Sequence, residues 1–311
     1  MQPMIGSSPI PLEDGSVLRS LVSDRERHVA ALTTNRERAR LLQWNLDESP
    51  RPTSTVDLGP CEPGAAVALV GSARILAIGL TSPSEVSHGG VVRDLSLPVL
   101  PHRIASAPPF DGVAIAHGAD VARMDVESSS VVTAYERAHD DSIRSLSLAS
   151  TGHCVATDYD GRTVLWSPTG AVIGRDDSGG EWSALDPNDP ATVYVVSADG
   201  ARALAVRPGL PLEAAFSTPG ATCTALLVND TQELVLAAVV FPGRAASALW
   251  LFDRRSGERL RQIPLDVRVT HLVRAGNHVV GGGTPGGLHA MSAADLFRRP
   301  KDTRVVRRSR R

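Results

Sequence analysis

Three short stretches of this 311-residue chain hold residue types whose spacing could do chemistry. The run GGGTPGG (281–287) has the glycine density of a loop that cradles phosphate with backbone N–H groups. Such a loop carries a lysine and opens a helix; here no lysine is near and the flanks, HVV and LHAM, read as strands, so a hairpin turn is the better account. DYDG (158–161) sets two carboxylates beside a glycine, a fragment of a calcium loop, but the RTVLW that follows supplies none of the further oxygen ligands or the distal glutamate such a loop needs. DPNDP (186–190) has the composition of a turn. Nine histidines are scattered, and no G-x-S-x-G elbow accompanies them. Cys61, Cys154 and Cys223 lie 93 and 69 residues apart, which draws neither a metal site nor a disulfide framework. No metal or cofactor is expected, and a catalytic constellation is not visible.

The elements that position these residues are easier to read. Residues 138–170, AHDDSIRSLSLASTGHCVATDYDGRTVLWSPTG, contain three apolar-polar runs of strand length separated by Thr-Gly and Asp-Gly turns. GAVIGR (170–175) supplies a fourth, so the stretch reads as an antiparallel meander. Its third strand ends on a large residue before a polar turn, and the same phrase recurs at Trp44, Arg93, Met124, Trp166, Val206, Phe252 and Met291. Trp44 to Met291 is 247 residues in six steps, a mean of about 41, inside the ~40–45 residues of a four-stranded propeller blade.

The stretch 138–175 resembles a WD-repeat (WD40) unit: His139 opens it, DGRTVLW closes its third strand and SPTG follows. VVSADGARALAVRPG and LWLFDRRSGERL are similar to other parts of the family pattern. The resemblance implies an all-β fold, a seven-bladed β-propeller of four-stranded antiparallel sheets over residues 1–297. It also implies a buried network of a His, a strand Ser or Thr, a turn Asp and a Trp. His139, Asp160 and Trp166 match those positions, while the Ser/Thr place falls on Asp158, with Thr157 beside it. The last unit offers three strands only, and an open sheet edge is an aggregation liability. Residues 3–12, PMIGSSPIPL, are proposed as its outer strand, the three prolines suiting an edge.

Composition bounds the function. Hydrophobic residues make 42% of the chain and aromatics only 4%, so small aliphatics must fill the core. The formal net charge is −2, yet RRPKDTRVVRRSRR (298–311) has eight basic residues and one acid. That tail is expected to be disordered and to make at most a weak contact with a polyanion. No signal peptide is evident, and LVLAAVVF (234–241), the longest apolar run, is too short to span a bilayer. A cytoplasmic monomer without membrane contact is expected.

The expected function is non-catalytic: a scaffold or sensor that binds a protein partner through its loops while an effector acts in trans. Loops held on a stiff frame suit that task. The candidate contact residues are Arg36, Arg38, Asp140, Asp141, Tyr159, Arg162, Trp182, Phe241 and Arg244. Trp182 is read as the counterpart of Ile143, either core or interface anchor. The alternative is a propeller enzyme of hydrolase or lactonase type, or an anion binder, with its site in the central channel. Only Arg19, Arg144, Asp186, His271 and Arg274 are chargeable on the innermost runs.

Overall fold

The computed structural model describes residues 7–10, 12, 15–35, 38–48, 51–71, 74–87, 90–107, 112–186, 192–197, 202–206, 213–229, 231, 233–243, 247–283 and 287–299. Of residues 7–9, 202–206 and 213–215 it describes the backbone alone.

In chain order the strands are β1 (Ser7–Ile10), β2 (Val17–Ser23), β3 (His28–Asn35), β4 (Arg38–Asn45), β5 (Ser54–Val70), β6 (Arg74–Leu80), β7 (Ser84–Ser87) and β8 (Val92–Asp94). Next come β9 (Arg103–Ser106), β10 (Gly112–His117), β11 (Asp120–Asp125) and β12 (Ser130–Ala134). The four strands of the best-read stretch follow: β13 (Ile143–Leu148), β14 (Cys154–Asp158), β15 (Thr163–Trp166) and β16 (Val172–Asp176). After them lie β17 (Gly180–Leu185), β18 (Val193–Ser197), β19 (Arg202–Val206) and β20 (Glu213–Ser217), then β21 (Thr222–Val228), β22 (Leu234–Val240), β23 (Ser247–Asp253) and β24 (Arg259–Leu265). The last are β25 (His271–Ala275), β26 (His278–Gly283) and β27 (Gly287–Ser292), with a single helical turn α1 (Ala293–Leu296) capped by Ser292.

All pairings within the sheets are antiparallel. Strands β9–β12, β13–β16, β17–β20 and β21–β24 each form a four-stranded meander, and a fifth four-stranded sheet runs β1-β27-β26-β25. The sixth has seven strands, β2 to β8 in sequence order. Its centre is the 17-residue β5, whose residues 54–60 pair with β4 and whose residues 61–70 pair with β6, with a register break between Cys61 and Ala66. The uniform four-stranded sheets expected from the sequence are corrected here: β5 passes from one set of partners to the next without a turn.

The order of burial explains the composition. Middle strands are covered on both faces, and β14, β15 and β22 are buried at every residue. The last strands face outward, as in β8 and β12. Buried apolar clusters lie between sheets that follow one another in the chain. Val155 and Leu165 meet Val193 and Val195, Tyr194 and Val196 meet Val235 and Ala237, and Leu236 and Leu249 meet Val279 and Met291. The last sheet in turn meets the first, with Ile10, Val280 and Leu288 against Leu18, Val29 and Trp44. Stacked sheets are separated by about 10 Å, a gap that Ala, Val and Leu fill, so few aromatics are needed.

Of the strand-end anchors, Trp44, Met124, Trp166, Val206, Phe252 and Met291 lie on the third strands of their sets. Arg93 does not. It lies on β8, the outermost strand, and the third-strand position belongs to β7. The apolar run around Val92 has strand character in either place, so pattern alone did not separate them. β1 pairs with β27, Ile10 opposite Leu288 and Ser7 opposite Met291.

Candidate functional site

Contacts between neighbouring sheets run through their first strands, β2, the second half of β5, β9, β13, β17, β21 and β25. Four of these carry a bulge near their start. Pairing skips Arg19 in β2, Arg144 in β13, Glu181 in β17 and Thr224 in β21. A bulged residue is left out of the ladder and its side chain is re-aimed. Arg19 and Arg144 are exposed, Glu181 and Thr224 half-buried. Together they mark one end of the first strands as a polar rim.

Arg103, the first residue of β9, joins this rim. Its Nε donates to the Arg144 carbonyl (2.8 Å), its Nη1 to the His102 carbonyl (2.8 Å) and its Nη2 to the Tyr159 hydroxyl (3.1 Å). Three neutral acceptors therefore fix a full positive charge. Arg144 Nη2 lies 4.0 Å from Glu181 Oε1. Tyr159 keeps 55% of its surface exposed.

Beneath the rim lies a buried polar network. His139 Nδ1 and Asp158 Oδ2 are 2.8 Å apart, both side chains essentially inaccessible. Asp158 Oδ1 accepts the Arg162 N–H (2.8 Å). Burial, opposed by Asp158, lowers the His139 pKa, and its Nε2 is buried without a partner. The ring is therefore neutral, donating from Nδ1 to the carboxylate. Thr157 Oγ1 meets Thr163 Oγ1 and Ser183 Oγ, each at 2.8 Å, tying β14 to β15 and to the next sheet. Trp166 Nε1 donates to the Glu136 carbonyl (2.9 Å), with its ring 5.5 Å from that of His139. Asp160 stands apart, exposed at the turn, and the carboxylate that meets His139 is Asp158. Gly161 makes the turn possible: its φ is +87°, and an added Cβ would meet the Gly179 backbone at 2.9 Å.

The other candidates divide. Arg162 reaches Asp140 (2.7 Å) and Asp177 (3.0 Å), Asp141 accepts the Ser142 N–H (2.6 Å), and Arg38 contacts both oxygens of Asp57 at 3.1 Å. Trp182 is half-buried, its Nε1 3.4 Å from the Cys223 carbonyl. The register pairs it with Val196, the place of Ser145 one sheet earlier, so Gly180 and not Trp182 is the counterpart of Ile143. Phe241 packs near Trp250, ring centroids 6.2 Å apart. Arg36 and Arg244 lie outside the described residues. Of the innermost chargeable set, Asp186 is buried and 3.0 Å from Arg254, and His271 lies beside the Thr270 hydroxyl (2.9 Å). No group of three or more His, Cys, Asp or Glu able to hold a metal occurs among the described residues, and no described helix is long and apolar enough to cross a membrane.

Sequence reasoning did not single out Arg103 or Glu181, and it did not place Arg19 and Arg144 as a pair. The repeated Arg-Ser-Leu at 19–21 and 144–146 was the available signal. Also unread were exposed aliphatics: Val92 on β8, Val131 and Val132 on β12, and Val91, Val99 and Leu100 in the segments beside β8.

Neither a protein-family model nor a curated protein sequence matches the chain. Solved structures do. A chain of the mitotic checkpoint complex aligns with TM-score 0.68 at 12% identity, over 92% of this chain and 94% of its own. The Cps50 (Swd1) β-propeller domain of Myceliophteria thermophila aligns with TM-score 0.67 at 11% identity, over 92% and 99%. The fold is a β-propeller. At such identities the likeness carries the fold alone. In propeller terms the first strands are the innermost, and the bulged residues stand where the sheets converge.

Proposed function

We propose that this propeller has seven blades of the WD-repeat kind and serves as a protein-interaction scaffold. In this reading β5 is the outer strand of one blade and the inner strand of the next, and β1 completes the last blade. The seven clusters between successive blades support that count. The propeller occupies residues 1–297 with a basic tail to 311, acts as a cytoplasmic monomer, and binds a protein whose effector function is in trans.

One observation carries the function: the rim, where bulges present Arg19, Arg144 and Glu181 and where the guanidinium of Arg103 is fixed against Arg144 and the exposed Tyr159. Arginine and tyrosine are the residue types that anchor interfaces, and holding them in place lowers the ordering cost of binding. That one structural neighbour is a chain of a mitotic checkpoint complex agrees with a life in assemblies. His139 and Asp158 serve as the support under the rim, with Thr157 and Trp166 completing it.

The test is affinity capture with quantitative mass spectrometry, comparing the wild-type chain, Arg103→Glu/Arg144→Glu, and a chain ending at Arg299. The double variant is expected to lose the specifically captured protein while melting as wild type. The tail truncation is expected to retain it. Equal capture by the double variant would move the interface off the rim, and loss on truncation would move it to the tail.

A further inference from the structure

The glycine-rich hairpin GGGTPGG (281–287), which the proposed function leaves unused, has a use at the outer edge of the last sheet. There β1 pairs with β27 over four residues, Ser7 opposite Met291 and Ile10 opposite Leu288. Gly287 has φ +79°, and a Cβ on it would stand 3.1 Å from the Ile10 carbonyl oxygen. A Cβ on Gly282 would strike Leu288 and come within 2.9 Å of Leu18. The missing side chains leave a slot at the start of β27, and β1 fills it. Ile10, 2% exposed, is seated among Leu18, Val29, Trp44, Val280 and Leu288, with Leu12 packed against the same cluster.

The hold of β1 on this slot is short. It spans four residues, and Pro9 has no N–H to give the ladder. The first and last sheets are joined a second time, at their inner strands and without β1. Ser23 Oγ donates to the Arg274 carbonyl (2.6 Å), and the Gly276 N–H donates to the Arg25 carbonyl (2.9 Å). Arg25 and Ala275 form a parallel bridge at this point. Asp24 Oδ1 fixes the turn by accepting the N–H groups of Glu26, Arg27 and His28, each at 2.9 Å. A seam fastened at two places can release one while the other holds, a local opening that leaves the rest folded. Release of β1 bares an unpaired strand edge, which is a template for another strand, and beside it the pocket of Ile10.

We infer that the edge of β27 with the Ile10 pocket is a strand-acceptor site, and that its partner in trans is β1 of a second copy of this chain. That segment fits because the structure seats the same residues in the same slot. Strand addition takes its affinity from main-chain bonds and its specificity from such a side-chain pocket. Exchange of an identical element between protomers is a low-cost route to a dimer. Only six residues, 11–16, join β1 to β2, and so short a tether gives the chain's own strand an effective concentration on the order of millimolar. At micromolar concentration each chain therefore keeps its own strand, and a second copy enters where that strand cannot seat. The inference does not rest on the rim, which lies on the innermost strands.

The test uses two full-length variants. Ile10→Asp spoils the strand and leaves the slot intact, whereas Gly287→Val fills the slot and leaves the strand intact. Each alone is expected to be a monomer by size exclusion with light scattering, and an equimolar mixture is expected to give a 1:1 dimer. A synthetic peptide of residues 3–12 is expected to bind the Ile10→Asp chain saturably, one per chain, and to raise its Tm. The same peptide carrying Ile10→Asp is expected to bind more weakly by on the order of tenfold. A mixture that stays monomeric, a dimer formed by either variant alone, or a peptide that leaves Tm unchanged would each overturn the assignment. Should either variant fail to fold, hydrogen exchange on the wild-type chain decides. Residues 287–292 are then expected to exchange faster than residues 278–283 by about tenfold or more, and equal protection of the two strands would overturn the assignment, since β1 would leave only on global unfolding.

Discussion

The sheets β13–β16 and β21–β24 occupy like places in the molecule and are held together by different means. The first is pinned by polar contacts: His139 to Asp158, Thr157 to Thr163 and Ser183, Trp166 to the Glu136 carbonyl. The second relies on shape. All seven residues of β22 are buried, Phe216 stacks on Phe252 at 4.3 Å, and Arg259 lies over the Trp250 ring at 4.4 Å. The Trp250 Nε1 is buried without a partner, as is that of Trp44. Trp44 and Trp166 hold equivalent register positions, opposite Val29 and Cys154, and only Trp166 has an acceptor. The Trp44 position therefore uses the bulk of the ring and not its hydrogen bond. Polar pinning is concentrated beneath the rim, where it fixes loops rather than merely filling space.

The largest effect expected from separating these two modes is in the aliphatic sheet. Leu236→Ala should lower stability by about 2–5 kcal/mol through cavity formation, read from denaturant unfolding, with no change in its dependence on pH. His139→Ala should cost less, about 1–3 kcal/mol, because it leaves Asp158 buried without its donor. Partner capture should fall only as folding falls, so a stable but binding-deficient variant would show that His139 contacts the partner directly.

A pH series sharpens the contrast. Burial is the first cause lowering the pKa of His102, His139, His153 and His271. As pH falls through the unfolded value near 6.5, the unfolded chain binds protons that the native imidazoles refuse, so stability present above that pH is lost. The wild-type Tm should therefore drop between about pH 7.5 and 5.5, and His139→Asn should drop less over the same window. An identical slope would show that His139 holds its proton equally in both states. The smallest effect is the most diagnostic. Trp166→Phe should cost about 1 kcal/mol more than Trp44→Phe or Trp250→Phe, since all three shrink a buried ring and only the first also loses a bond, that to the Glu136 carbonyl.

The same difference explains what could be read from residues alone. The polar sheet announces itself, since His139, the Asp-Gly turn and Trp166 are rare types at recognisable distances. The aliphatic middle strands of the other sheets yield the period but not the register, and around Val92 two neighbouring strands have equal claim to the pattern. The true partner of His139 escaped because Asp158 and Asp160 differ by two residues, and strand alternation does not tell which lies inward once a turn begins. The bulges escaped for a similar reason. Skipping Arg19 or Arg144 shifts the phase of the apolar alternation, Leu18 to Leu21 and Ile143 to Leu146 being three apart. With one apolar residue before the shift, the pattern reads equally as a strand that starts later, and the paired strand decides.

One consequence of the pairing of β1 with β27 concerns time. Ile10 emerges early from the ribosome and Leu288 late. At ~5–20 residues per second, β1 waits on the order of tens of seconds for its partner. Meanwhile the clusters within the middle of the chain can assemble between neighbours as they appear, whereas the seam between the first and last sheets cannot. That last contact joins residues 278 apart, Ile10 and Leu288, and closing so long a loop carries its entropic cost before any reward arrives. The nascent protein accordingly passes through an open arc with two uncovered sheet faces, one carrying Leu18, Val29 and Trp44 and awaiting Leu288, the other carrying Leu236 and Leu249 and awaiting Met291. Chaperone capture and domain exchange between growing chains would be directed to that gap, and both should vanish once residues 287–292 have cleared the exit tunnel.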